Sequence, residues 1–126
     1  SVHALLRRGD SLWLINRGKL YHYHLQLQQL QLVLPGKNPL LTNASRWLFD
    51  ETNGIYLANS SALYRFQPET GQLTLVLQGE ENYPLLVLKT AGQPTRVVSR
   101  QHLWCFGKAP MRLRAAYVYC RQQLCL

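Results

Sequence analysis

With 126 residues, 47% of them apolar and only 16% charged, the chain is long enough for one hydrophobic core and too apolar for a disordered segment. No run approaches the ~20 consecutive apolar residues of a membrane-spanning helix, and no secretory leader is read at the amino terminus. The net charge is +8, and no acidic residue follows Glu81. The last third, with Lys89, Arg96, Arg100, Lys108, Arg112, Arg114 and Arg121, is therefore a basic stretch. It suits an anionic ligand or an acidic protein face, or simply a solvated surface.

The elements read as β throughout. From Ser11 to Gly36 the chain is SLWLINRGKLYHYHLQLQQLQLVLPG, and 43 residues on, from Gly54 to Gly79, it is GIYLANSSALYRFQPETGQLTLVLQG. The two align without a gap, with ten of 26 positions identical, among them Leu14/Leu57, Leu20/Leu63, Tyr21/Tyr64, Leu30/Leu73 and Leu32/Leu75. Within each unit apolar residues alternate or run in stretches of four to six between turn residues, the pattern of short strands.

In the first unit His22 and His24 form an H-x-H pair on one face of a strand. Two imidazoles so spaced are weak zinc or copper candidates, with His3 or His102 as the third ligand. Their repeat partners are Arg65 and Gln67, while Tyr21/Tyr64 and Tyr23/Phe66 take the alternate face. The histidine face is accordingly expected to look toward solvent, and no metal or other cofactor is expected.

The second unit predicts strands at 46–49, 55–58, 62–66 and 73–77. Pro68-Glu69-Thr70-Gly71 is a turn, because proline presets φ and glycine supplies the positive φ that leaves it. Four short strands in about 43 residues is the period of a β-propeller blade. A third, looser unit follows. Thr95–Ser99 reads as its first strand, and His102-Leu103-Trp104-Cys105-Phe106 matches Ser11-Leu12-Trp13-Leu14-Ile15. Met111–Tyr119 reads as one long strand. Trp13, Tyr56 and Trp104 thus take equivalent positions, as packing residues of a repeated core. The units span approximately 3–38, 44–81 and 84–126 of a single β-repeat domain, residues 1–126.

In the basic third unit Arg112, Arg114, Tyr117 and Tyr119 form the best local ligand-binding candidate, although no nucleic-acid motif supports base stacking there. Cys105, Cys120 and Cys125 are disulfide candidates, with Cys120–Cys125 and a bridge from Cys105 to either of them as rivals. A bridge presupposes an oxidising compartment, and buried reduced thiols are the alternative. No nucleophile elbow, phosphate loop, dinucleotide fingerprint or zinc-protease motif occurs, and the acidic pairs Asp50-Glu51 and Glu80-Glu81 fall in predicted turns. An enzyme is not expected.

Residues 54–71, GIYLANSSALYRFQPETG, resemble the two-component-regulator propeller repeat: an Ile-Trp-Ile strand, a polar turn, a Leu-Tyr-Arg-Tyr strand and a Pro-x-Thr-Gly turn. The resemblance implies an all-β fold of about three propeller-like blades, and a non-enzymatic sensor or ligand-binding domain. It also implies an extracytoplasmic location in a bacterial membrane or regulatory protein, with a cytoplasmic location as the alternative. Closed propellers carry 4–8 blades, so three units leave sheet faces to be covered. A homo-oligomer, a partner chain that completes the ring, a longer chain, or a compact sandwich or barrel would each answer that. A structural interaction module and a lectin-like carbohydrate-binding oligomer are the alternative functions.

Overall fold

The computed structural model describes residues 2–34, 47–51, 54–80, 82–100, 102–106 and 113–117. All twelve of its regular elements are strands, arranged in three four-stranded antiparallel sheets. Sheet 1 is β1 (Val2–Arg8), β2 (Ser11–Asn16), β3 (Lys19–His24) and β4 (Gln29–Leu34), in that spatial order. Sheet 2 is β5 (Trp47–Glu51), β6 (Gly54–Ala58), β7 (Ala62–Gln67) and β8 (Gln72–Gln78). Sheet 3 is β9 (Leu86–Leu88), β10 (Arg96–Ser99), β11 (His102–Phe106) and β12 (Leu113–Tyr117). Each sheet is a simple meander, the form of a propeller blade, and the chain is an array of three such blades.

By compactness the chain divides into Ser1–Asn59 with Leu63–Val76, and Ser60–Ala62 with Leu77–Leu126. The first unit holds sheet 1 and most of sheet 2. Period-2 alternation gives sheet 1 two faces. On the inner face, directly paired residues form the rows Ala4–Ile15–Leu20–Leu34, Leu6–Trp13–His22–Gln31 and Arg8–Ser11–His24–Gln29. The outer face carries Leu5–Leu14–Tyr21–Leu32 and Arg7–Leu12–Tyr23–Leu30. A register shift at Leu20/Tyr21 sets Val33 between the rows.

The core of this unit joins the inner face of sheet 1 to one face of sheet 2. Trp13, Ile15 and Leu20 cluster with Ile55, Leu57 and Phe66, and Ala4, Leu6, Val33, Leu34, Leu48 and Leu73 pack around them. Sheet 2 is also buried on its other face, where Phe49 and Tyr56 stack with ring centroids 5.5 Å apart. The β7–β8 turn forms where the sequence places it: Gly71 N–H donates to the Gln67 carbonyl at 2.8 Å, and Gly71 has φ 74°.

In the second unit Leu103 and Cys105 form a smaller buried cluster with Val98 against it. Near β9, Ser99 Oγ donates to the Tyr83 carbonyl at 2.9 Å, and the Leu85 N–H donates to the Ser60 carbonyl at 2.9 Å.

Sheet 3 corrects the sequence reading. Thr95–Ser99 contains the second strand of its sheet, because Leu86–Leu88 pairs with Arg96–Val98 ahead of it. Three residues after Pro84 are too few to signal a strand by alternation. Trp104 therefore lies on the third strand of its sheet, whereas Trp13 and Tyr56 lie on second strands. The expected equivalence of the three aromatics does not hold. Of the long strand read at Met111–Tyr119, Leu113–Tyr117 is strand and the remainder lies outside the described residues.

Candidate functional site

Half of the inner face of sheet 1 is polar. Ala4, Ile15, Leu20 and Leu34 fill the core, whereas Arg8, Ser11, His22, His24, Gln29 and Gln31 occupy the end beyond Trp13. Burying these groups without partners would cost about 1–3 kcal/mol each, so the two sheets do not close over them. The result is a cavity of about 550 Å³ lined by Arg8, Ser11, Trp13, His22, Gln31 and Phe66, with Pro68 and Gly71 of the β7–β8 turn.

The cavity wall is pre-arranged. The His22 ring stacks on the Trp13 indole with centroids 4.4 Å apart. His22 Nε2 shares a hydrogen bond with Ser11 Oγ at 2.6 Å. Phe66 meets the Trp13 ring edge-on at 5.9 Å. Trp13 is buried, and its Nε1–H has no acceptor among the described residues. Arg8 Nε lies 3.9 Å from Asp50 Oδ2, both half-exposed, so this ion pair holds the guanidinium only weakly.

The histidine face is the inner one, and His22 and His24 lie on its open half, where both are partly buried and Gln29 and Gln31 are exposed. His22 and His24 do share a face, with rings 6.3 Å apart, and the His24 Nδ1 accepts the Leu27 N–H at 3.2 Å. The exposed face is the one bearing Leu5, Leu30 and Leu32. Alternation separates two faces but does not say which is covered. Among the described residues no group of three or more His, Cys, Asp or Glu side chains is placed to hold a metal ion.

Of the ligand candidates in the last third, Arg112 and Tyr119 lie outside the described residues. Arg114 and Tyr117 are on β12, paired with Cys105 and His102. Cys105 is buried on β11, and Cys120 and Cys125 lie outside the described residues. Among the described basic residues, Arg100 donates to Glu80 Oε2 at 3.2 Å and lies 4.8 Å from the centre of the Tyr83 ring. Arg96 Nη2 donates to Thr90 Oγ1 at 3.4 Å. No candidate in the sequence pointed to Arg8, Ser11 or Gln31. Their signal was available: with His22 and His24 they are the polar members of the face that carries Trp13.

Burial, and then the charge of His24, pull the His22 pKa below its ordinary value. The folded state therefore favours neutral His22. Below about pH 6.5, the ordinary histidine value, the unfolded chain takes up this proton more readily, so stability falls with falling pH and is retained above it. Thermal unfolding followed across pH 4.5–8 should show this slope, and His22→Gln should flatten it. An unchanged slope in the variant would detach it from His22.

No protein-family pattern matches the chain, and no curated protein matches it. Solved structures do. The chain is similar to the extracellular domain of BT4673 from B. thetaiotaomicron, named in one structure as a one-component system and in another as a hybrid two-component system. Identity is 22% in both, with TM-scores of 0.63 and 0.64, over 90% and 94% of this chain. It is also similar to the N-terminal domain of Nup159, at 13% identity and a TM-score of 0.64 over 96% of this chain. The chain spans about one sixth of the BT4673 chains (16% and 17%) and 32% of the Nup159 chain. Identities at this level show the fold, which is of the propeller type. The propeller-like blades expected from residues 54–71 are matched in three dimensions by these structures.

Proposed function

We infer that the chain is a non-enzymatic binding module of a sensor protein, displayed outside the cytoplasm, which takes a small hydroxyl- or carboxylate-bearing ligand. The ligand site is the cavity between the polar half of sheet 1 and the β7–β8 turn. The observation that carries this reading is the cavity itself. Arginine, serine, histidine and glutamine side chains converge there beside a buried Trp13, the mixture of one apolar wall and a few fixed polar groups that ligand sites use. The extracellular placement of BT4673, similar in fold, supports the location.

Tryptophan emission of the folded chain, titrated with mono- and disaccharides and with small carboxylates, tests the reading. A saturable change is expected for at least one class. Arg8→Ala combined with Gln31→Ala should weaken it about tenfold or more, the loss of one or two good hydrogen bonds. A flat response across both classes would remove the cavity as a ligand site.

One observation favours a second reading, a structural module completed by another chain: the apolar outer face of sheet 1 exposes Leu5, Leu30 and Leu32.

A further inference from the structure

The outer face of sheet 1 has a counterpart in the same chain that is covered. Leu12, Leu14, Tyr21 and Tyr23 lie on that face, and their repeat equivalents are Ile55, Leu57, Tyr64 and Phe66. In sheet 2 these four are 0%, 0%, 8% and 1% exposed, and the cluster that includes Ile55, Leu57 and Phe66 contains Trp13, Ile15 and Leu20 from the inner face of the preceding sheet. In sheet 1 all four are only half-buried, and around them Leu5 is 61%, Leu30 59% and Leu32 48% exposed. The rule of contact is therefore visible within the chain: the outer face of one blade is covered by the inner face of another.

Sheet 3 supplies an inner face of that kind. The β2–β3 turn closes at Asn16↔Lys19 with Arg17 at φ 52°, and the β10–β11 turn closes at Ser99↔His102 with Arg100 at φ 56°. One step in from these turns stand Ile15↔Leu20 in sheet 1 and Val98↔Leu103 in sheet 3. The row Leu86–Val98–Leu103 thus corresponds to Ala4–Ile15–Leu20, and Leu88–Arg96–Cys105 to Leu6–Trp13–His22. At the β9 end this face is open, with Leu86 49% and Leu88 39% exposed.

We propose that two copies of this chain associate by docking the outer face of sheet 1, centred on Leu5, Leu30 and Leu32, onto the face of sheet 3 that bears Leu86 and Leu88 in the other copy. The contact repeats, between chains, the one that joins sheets 1 and 2 within the chain. Each copy owns one of each surface, which is what a closed pair of two copies requires. Among the residues named, the apolar rows are interrupted by Arg7 on one side and by Arg96 on the other. The inference rests on the interaction-module reading; of the leucines it uses, Leu32 alone also borders the ligand cavity, so Leu5→Glu, which does not, separates the two readings.

Sedimentation equilibrium of the whole chain at ~1–50 μM tests it. The expected species is twice the 14.6 kDa chain. Leu30→Glu with Leu32→Glu, and separately Leu86→Glu with Leu88→Glu, should each weaken the pairing by ~100-fold or more, because two charges would have to be desolvated where apolar side chains met. Mixing the two variants should restore a heterodimer, since one intact copy of each surface remains. Leu5→Glu, at the most exposed of these positions, serves if a double variant fails to fold by circular dichroism. A dimer that survives Leu86→Glu with Leu88→Glu would overturn the proposal in favour of sheet 1 on sheet 1. A monomer that binds an apolar dye, and loses that binding in Leu30→Glu with Leu32→Glu, would overturn the second copy and leave the interaction face. A monomer that binds no dye would overturn both.

Discussion

Phe66→Ala is expected to remove about 3–5 kcal/mol of stability, the usual loss when a buried phenylalanine is truncated. The ring is 1% exposed, stands edge-on to Trp13 at 5.9 Å, and belongs to the cluster that joins the first two sheets. Little collapse can compensate, because both neighbouring sheets are held by their own ladders. Such a loss is a large part of the ~5–15 kcal/mol that typical domains possess. Urea unfolding followed by tryptophan emission would show a midpoint shift and a more solvated Trp13 in the native baseline. A loss below ~1 kcal/mol would mean that the sheet 1–sheet 2 contact is not where the stability of this unit resides.

Gly54→Ala is expected to cost about 2–4 kcal/mol although it adds a single methyl group. Gly54 has φ +147°, a conformation that side-chain-bearing residues avoid. Its Cβ would lie 2.9 Å from the Phe66 carbonyl oxygen and 3.2 Å from Arg65 Cγ. The first of these is backbone in a β ladder and has no room to move. Gly71→Ala is the control: φ is +74°, but nothing lies within 4 Å, so backbone strain alone should cost about 1 kcal/mol. Thermal unfolding of the pair separates the two effects. Equal losses would show that crowding at Gly54 contributes nothing.

The second repeat was the most legible part of the sequence because every local signal agrees there. Alternation, the Pro68–Gly71 turn and the strand lengths all point to one blade, and β5–β8 form within a few residues of their expected bounds. The third repeat was less legible because its first strand, Leu86–Leu88, is too short to show a period, and the match of Trp104 to Trp13 drew the alignment one strand away. The ligand cavity was not foreseen. Sequence reasoning looked for ligands among the arginines and tyrosines of the last third. The converging groups instead come from four neighbouring strands of sheet 1, where Arg8, Ser11, His22 and Gln31 are far apart in the chain but adjacent in the ladder. A cross-strand row is a tertiary fact, invisible until the register is known. The inner position of His22 was missed for a related reason: polar residues on a strand usually mean solvent, and here they mean a gap between two sheets.

The meeting of unlike faces, Trp13 and Ile15 from one blade against Leu57 and Phe66 from the next, gives the repeat a direction. Each unit carries a socket and a plug rather than two equal sides. A duplicated unit therefore arrives already fitted to its parent, and an array can lengthen without inventing a new interface. The same asymmetry transfers constraint from one unit to its neighbour. A change of size or shape at Trp13 is felt at Phe66, 53 positions away in the next sheet, as well as at His22 in its own.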